Sequence, residues 1–213
     1  MKEVKYLIER YPVLSVCENE IIDAIATLID CYKHGGKLLV CGNGGSAADS
    51  LHIVGELMKG FVKQRKLSTE MKEKLYSASA HGDFLYENLQ GALPAISLVN
   101  EVSLQTAYAN DVAPVLNFAQ QVWGQGNAGD VLIGITTSGN SENVIYAAEV
   151  AHAKGMKVVA LTGQGGGKMN ACSDVVIAVP EKETYKVQEL HLPVYHAICI
   201  ALENAFFKDG EDV

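Results

Sequence analysis

The chain has 213 residues, 48 % of them hydrophobic and 20 % charged, a length and balance that suit one soluble globular domain with a sizeable core. A formal charge of −8 excludes broad nonspecific nucleic-acid binding, so an anionic ligand must be held by local groups. Five scattered cysteines without a C-x-x-C pair predict reduced thiols, the charges from Lys2 to Arg10 leave no signal-peptide core, and the uncharged run 112–129 carries Pro114, two Asn and three Gln, so an intracellular protein without a membrane span is expected.

Helical spacing of Leu14, Val16, Ile21, Ile22, Ile25, Leu28 and Ile29 predicts helix from about Lys5 to His34, divided at Pro12 and stopped by Gly35-Gly36. Lys37–Cys41 is a short buried strand, followed by the turn Gly42-Asn-Gly-Gly-Ser46 and a helix to about Met58. Between Gly60 and Gly91 there is no strand signal, and with Lys59 six of the seventeen basic residues fall within sixteen positions. This segment, 61–90, is expected to be an insertion with one short helix over Leu67–Tyr76, capped by Ser68 or Thr69. It is either a solvated lid or a basic rim over an anionic substrate.

Ala95–Leu98 is a weaker strand. Asp130–Ile135 is a strand, Thr136-Thr-Ser-Gly-Asn-Ser141 a polar turn, and Glu142–Lys154 a helix ended by Gly155. Lys157–Thr162 and Asp174–Val179 are two further strands, and a last helix runs from about Thr184 to Phe207. Continuous apolar strands alternating with helices define an α/β fold, a doubly wound parallel sheet of five strands covered on both faces. Ligands of such sheets bind at the carboxyl ends of the strands, at a topological switch point.

Both polar turns belong to that edge. Glycines let the backbone approach a ligand closely, and a helix start directs N–H groups and partial positive charge at it. Ser46 can both cap its helix and donate its hydroxyl, while Thr136, Thr137, Ser138 and Ser141 supply four hydroxyls in six residues. That chemistry suits a small phosphate monoester; without a Walker lysine or dinucleotide spacing, no nucleotide cofactor is expected. The alternative is a pair of ordinary capped turns. Leu51-His52-Ile-Val-Gly-Glu56 puts His52 and Glu56 on one helix face, with Glu56 roughly 15 Å from Ser46 along the axis. Taken alone, such a pair is a surface ion pair. Gln188, His191, Tyr195 and His196 interrupt the otherwise apolar last helix, where Pro193 is expected to introduce a kink.

The segments Gly42-Asn-Gly-Gly-Ser46 and Thr137-Ser-Gly-Asn-Ser141 resemble the phosphate-binding segments of sugar isomerase (SIS) domains over nearly the whole chain apart from the insertion. The His-x-x-x-Glu pair and the Gln188…His196 spacing are most similar to the phosphoheptose isomerases within that family. The resemblance implies one SIS domain over 1–213, with 1–34 as an N-terminal helical segment. It implies Glu56 as general base and His196 as general acid/base partner. Asn43, Gly44, Gly45, Ser46, Glu56, Asn110, Asp111, Thr136, Thr137, Ser138, Ser141 and Gln188 are then substrate contacts, and a zinc ion is held by His52, Glu56, Gln188 and His196. It further implies sedoheptulose 7-phosphate as substrate, D-glycero-D-manno-heptose 7-phosphate as product for surface polysaccharide, a cytoplasmic setting and a homotetramer.

Two positions depart from the family pattern: Tyr185 stands where an acidic residue is common, and Gly60 where an arginine follows the base by four residues. Lys59, Lys63 and Arg65 are candidate replacements. A noncatalytic SIS protein of the replication-initiator-associating kind is the alternative function; it predicts degraded acid and base positions, which this chain does not have.

Overall fold

In the computed structural model, residues 1–207 are described; the expected domain's last residues, 208–213, lie outside them. In chain order the helices and strands are α1 (Lys2–Arg10), α2 (Glu18–Lys33), β1 (Leu38–Gly42), α3 (Gly45–Met58), α4 (Thr69–Ala78), α5 (Gly82–Asn88) and β2 (Ala95–Ser97). They continue with α6 (Val102–Asp111), α7 (Asn117–Gln125), β3 (Val131–Thr136), α8 (Glu142–Ala153), β4 (Lys157–Thr162), β5 (Val175–Ala178) and α9 (Thr184–Phe206). Pro12 opens a 3-10 turn, Pro12–Cys17, that separates α1 from α2, because proline's fixed φ suits a first turn and its missing N–H is harmless there.

The five strands are parallel in the order β2-β1-β3-β4-β5. Residues of β1 and β3 are buried throughout, as strands covered on both faces must be. Alternate side chains build two cores. Leu38, Val40, Val131, Ile133, Ile135, Val159 and Leu161 pack beneath α1, α2, α3 and α9; Leu39, Cys41, Leu132, Val158 and Ala160 pack beneath α7 and α8. Strand order reverses between β1 and β3, so the turns leaving these adjacent strands, 43–45 and 137–141, meet at the switch point.

In the segment 61–90, Ser68 caps α4 by accepting from the Met71 amide at 3.3 Å, as its residue type suggests. Helices α5, α6 and α7 are additional to the expected elements. α4 and α6 bury no side chain, so neither carries the apolar stripe from which a helix is recognised. Helix α9 runs unbroken through Pro193, whose ring is buried.

His191 of α9 is wholly buried, and its Nε2 lies 3.2 Å from the Thr162 carbonyl at the end of β4. Burial pushes its imidazole down from 6.5 to about 4, outweighing the opposing pull of the Thr162 bond. The folded chain therefore binds this proton less readily than the unfolded chain. Stability from this group is complete above about pH 6.5 and falls toward pH 4, by about 3 kcal/mol. Denaturant midpoints at pH 7 and pH 4.5 should show this loss, and His191→Gln should flatten it; an unchanged slope in the variant assigns the loss elsewhere.

Candidate active site

The loop after β1 places Gly44 at φ +57 as the N-cap of α3, a left-handed conformation that glycine adopts without cost. Ser46 does not cap the helix; it lies one residue inside it, 3 % exposed, and no side chain caps that end. Ser141 is the N-cap of α8, yet its hydroxyl meets Thr136 Oγ1 at 2.9 Å instead of capping the helix. Two helix N-termini without capping side chains thus face the switch point; at α3 the Ser46 and Ala47 amides donate to the Asn43 and Gly44 carbonyls at 3.0 and 3.1 Å, and at α8 the Val144 amide donates to the Ser141 carbonyl at 3.0 Å. Asn43 and Asn143 exchange amide hydrogen bonds of 2.9 and 2.8 Å and tie the two loops together. Thr137 is half-buried and Ser138 exposed, its hydroxyl accepting from the Asn140 amide at 3.1 Å.

A third loop, which sequence reasoning missed, buttresses the second. The Thr137 carbonyl accepts from the Gly163 amide at 3.0 Å, and the Gly139 carbonyl from the Met169 amide at 3.1 Å. Gly139, at φ +67, packs against the backbone of Gly166 and Gly167 with no room for a Cβ. The run Gly163-Gln-Gly-Gly-Gly167 was the available signal.

Helices α3 and α9 lie side by side, running in the same direction. On α3, Gly45, Asp49, His52 and Glu56 share one face at helical spacing. Gln188 of α9 comes against Gly45, where a Cβ would strike its side-chain amide. Further along, Tyr195 donates to Asp49 Oδ1 at 3.3 Å, and its hydroxyl also lies 3.0 Å from His52 Nδ1. His52 Nε2 lies 3.1 Å from Glu56 Oε1, and the His196 ring meets the His52 ring edge-on at 5.0 Å. The site is therefore a seam: anion-binding loops at one end, carboxylate and imidazoles at the other, roughly 16 Å apart for eleven helical residues.

The electrostatics of the seam are specific. Burial and the neighbouring His52 lower the His196 pKa, with Glu56 opposing, so the imidazole is neutral near pH 7. His196 Nε2 is buried and has no partner among the described residues. Asp49 is raised by burial despite its bonds, and its Oδ2 is likewise partnerless. Asp49 is an addition to the expected site, and Tyr195, marked in the sequence only as a polar interruption of the last helix, joins it through contact across the two helices. Asn110 and Asp111 end α6, exposed and bonded to each other at 2.8 Å.

Of the residues expected to hold zinc, His52, Glu56 and His196 adjoin one another, while Gln188 lies at Gly45. Two imidazoles, a carboxylate and the partnerless His196 nitrogen suit the ion chemically. Among the described residues, no three His, Cys, Asp or Glu side chains are already grouped around a metal position.

Arg65 is not a substrate-facing replacement. It is 1 % exposed and bonded to Glu203, because the turn after α3 folds it inward. Lys59 Nζ lies 3.5 Å from Glu56 Oε2 and 3.1 Å from the Gly60 carbonyl, at the mouth of the seam.

Parallel strands with two hydroxyl- and glycine-rich loops at their switch point, beside a carboxylate–imidazole seam, define a sugar-phosphate class of α/β protein. The family described as "SIS domain" matches residues 4–74 and 78–163. A phosphoheptose isomerase of Methylibium petroleiphilum is 39 % identical over 88 % of this chain and 83 % of its own length; that of Helicobacter pylori strain P12 is 39 % identical over 91 % and 88 %. The solved phosphoheptose isomerase of Neisseria gonorrhoeae superposes with a TM-score of 0.73 at 34 % identity, covering 94 % of both chains, and that of Francisella tularensis with 0.75 at 31 %, again covering 94 % of both. The chain belongs to the SIS-domain family and, within it, to the phosphoheptose isomerases.

Proposed function

We propose that this enzyme converts sedoheptulose 7-phosphate into D-glycero-D-manno-heptose 7-phosphate, for use in surface polysaccharide. The 7-phosphate sits at the N-termini of α3 and α8 among Ser46, Thr137, Ser138 and Ser141, and the extended sugar lies along the α3–α9 seam. Glu56 removes a proton from C1 of the ketose, leaving an enediol(ate), and returns a proton to C2. His196, neutral at the working pH, passes the hydroxyl proton between O2 and O1 as the carbonyl moves from C2 to C1. The observation that carries this reading is the meeting of Glu56 and His196 around His52 on the helix that begins at the anion loop.

The decisive experiment incubates the protein with sedoheptulose 7-phosphate in D2O and follows the sugar by NMR. Aldose formation with deuterium at C2 is expected; aldose without any deuterium points to transfer shielded from solvent, and no aldose overturns the reading.

We further propose zinc held by His52, Glu56 and His196, with Gln188 turned to the substrate. When bound, the ion would polarise the substrate carbonyl and stabilise the enediolate. Removing it with a chelator should lower turnover at least about tenfold, and added zinc should restore turnover and raise the melting temperature. Unchanged turnover and melting in chelator remove the ion from the reaction.

A homotetramer is also proposed, supported by a groove of ≈ 360 Å³ between α1 and α9 that reaches His196 and by the exposed Tyr6, Val13 and Val16. Among the described residues no helix is long and apolar enough to cross a membrane. With five free, buried thiols, a cytoplasmic setting is the reading adopted. The whole chain is proposed to form one SIS domain, with 61–90 inserted.

A further inference from the structure

We propose that Arg65 and Glu203 form a positioning pair that clamps the end of α3 and thereby sets the Glu56 carboxylate against the His196 imidazole. The inference rests on the isomerase reading of those two groups.

The two side chains are 1 % and 0 % exposed, and Arg65 Nε donates to Glu203 Oε1 at 2.8 Å. The remaining guanidinium nitrogens donate to backbone carbonyls, Nη1 to Leu57 at 2.6 Å and Nη2 to Glu56 itself at 2.8 Å. The last carbonyls of a helix have no partner within it, so the guanidinium closes the end of α3. Glu203 completes the device from the other side. It accepts the amides of Phe61, Val62 and Lys63 at 2.8, 2.9 and 3.2 Å, so the chain leaving α3 wraps its carboxylate. Burial opposes ionisation of Glu203, but these donors and Arg65 outweigh it and hold the carboxyl below its usual range. Phe207 covers the guanidinium, its ring centroid 4.8 Å from Arg65 Cζ.

Glu203 follows His196 by seven residues, two turns along α9. One ion pair therefore joins the backbone carbonyl of the base to the helix that carries the imidazole. The Gly60 departure belongs to the same turn: a Cβ there would strike the Lys63 carbonyl, so the wrapped turn has no space for an arginine.

Buried ion pairs often add little net stability, and replacing both partners with apolar groups of similar volume is tolerated. This separates positioning from folding. Arg65→Lys keeps the charge opposite Glu203 but loses the fork to the two carbonyls; Arg65→Met with Glu203→Leu removes both charges. Both are expected to lower kcat about tenfold to a hundredfold, as misplacement of a reacting group by about 1 Å can do. KM should stay within about twofold, because the anion loops lie at the far end of α3. Hydrogen exchange of amides 57–63 should accelerate, while the double variant keeps a cooperative unfolding transition. Wild-type kcat in both variants, or unchanged exchange of amides 57–63, overturns the proposal. Activity falling only with the folded fraction also overturns it. If the unmutated enzyme converts no ketose phosphate, the isomerase reading fails by that result, and exchange alone then decides whether the clamp exists.

Discussion

Glu56→Gln should reduce kcat at least about a hundredfold, near 2.7 kcal/mol of transition-state stabilisation, with KM changed little. The amide is isosteric and can still meet His52 Nε2, now 3.1 Å from Glu56 Oε1, so the seam should persist. It cannot take a proton from carbon at neutral pH. Substrate affinity should survive because the phosphate loops lie about eleven residues, roughly 16 Å, away along α3. A steady-state assay of aldose formation at saturating ketose reads this directly. Turnover close to that of the unmutated protein would assign the carbon base to another group.

The second large effect is expected at the loop that holds the phosphate. Gly139→Val puts a branched side chain at φ +67, where a Cβ already strikes the Gly166 carbonyl. Neighbouring atoms on that side are backbone, with Gly167 packed against Ser138 and Gly139, so nothing flexible can yield. A left-handed conformation alone costs an ordinary residue about 1–2 kcal/mol. With the steric conflict, a total of about 3 kcal/mol is expected, lowering the melting temperature by roughly 6–12 °C for a chain of this size. KM for the sugar phosphate should rise at least about tenfold, since the displaced turn carries Thr137, Ser138 and Ser141. Gly129→Ala is the control. Its φ is +88 but a Cβ there meets nothing within 4 Å, so it should show the strain without the loss of affinity. Equal effects at the two positions would refute a special role for the Gly139–Gly166 contact.

His52 and Glu56 alone are indistinguishable from a surface ion pair, and Ser46 and Ser141 from ordinary caps. The structure removes the second ambiguity by geometry: neither serine caps its helix, and Ser141 bonds Thr136. The alternative of a noncatalytic binding module gains nothing from the relatives, which are phosphoheptose isomerases.

Much of the sheet was legible because a strand buried on both faces must be apolar residue after residue, as Leu38–Cys41 and Val131–Ile133 are. Helix α2 was legible from the helical spacing of its apolar residues, whereas α7, which buries Phe118 and Val122, was not foreseen. α4 owed its recognition to a cap expected at Ser68 or Thr69, and α6, which buries nothing, was passed over. Arg65 shows the limit most clearly. In the sequence it is one of six clustered cations, fit for a solvated rim. In the fold it is buried against Glu203, 138 residues away.

From the sequence alone came the local chemistry: which strands form, which turns offer amides and hydroxyls, and which helix carries His52 four residues before Glu56. Tertiary structure alone decided that α3 and α9 run side by side in register. That register puts Gln188 at Gly45, Tyr195 between Asp49 and His52, and Glu203 beneath the end of α3. The physical reason is that burial periodicity belongs to each segment singly. A contact between distant residues belongs to a pair, and becomes defined only when two cores have packed the helices onto the sheet.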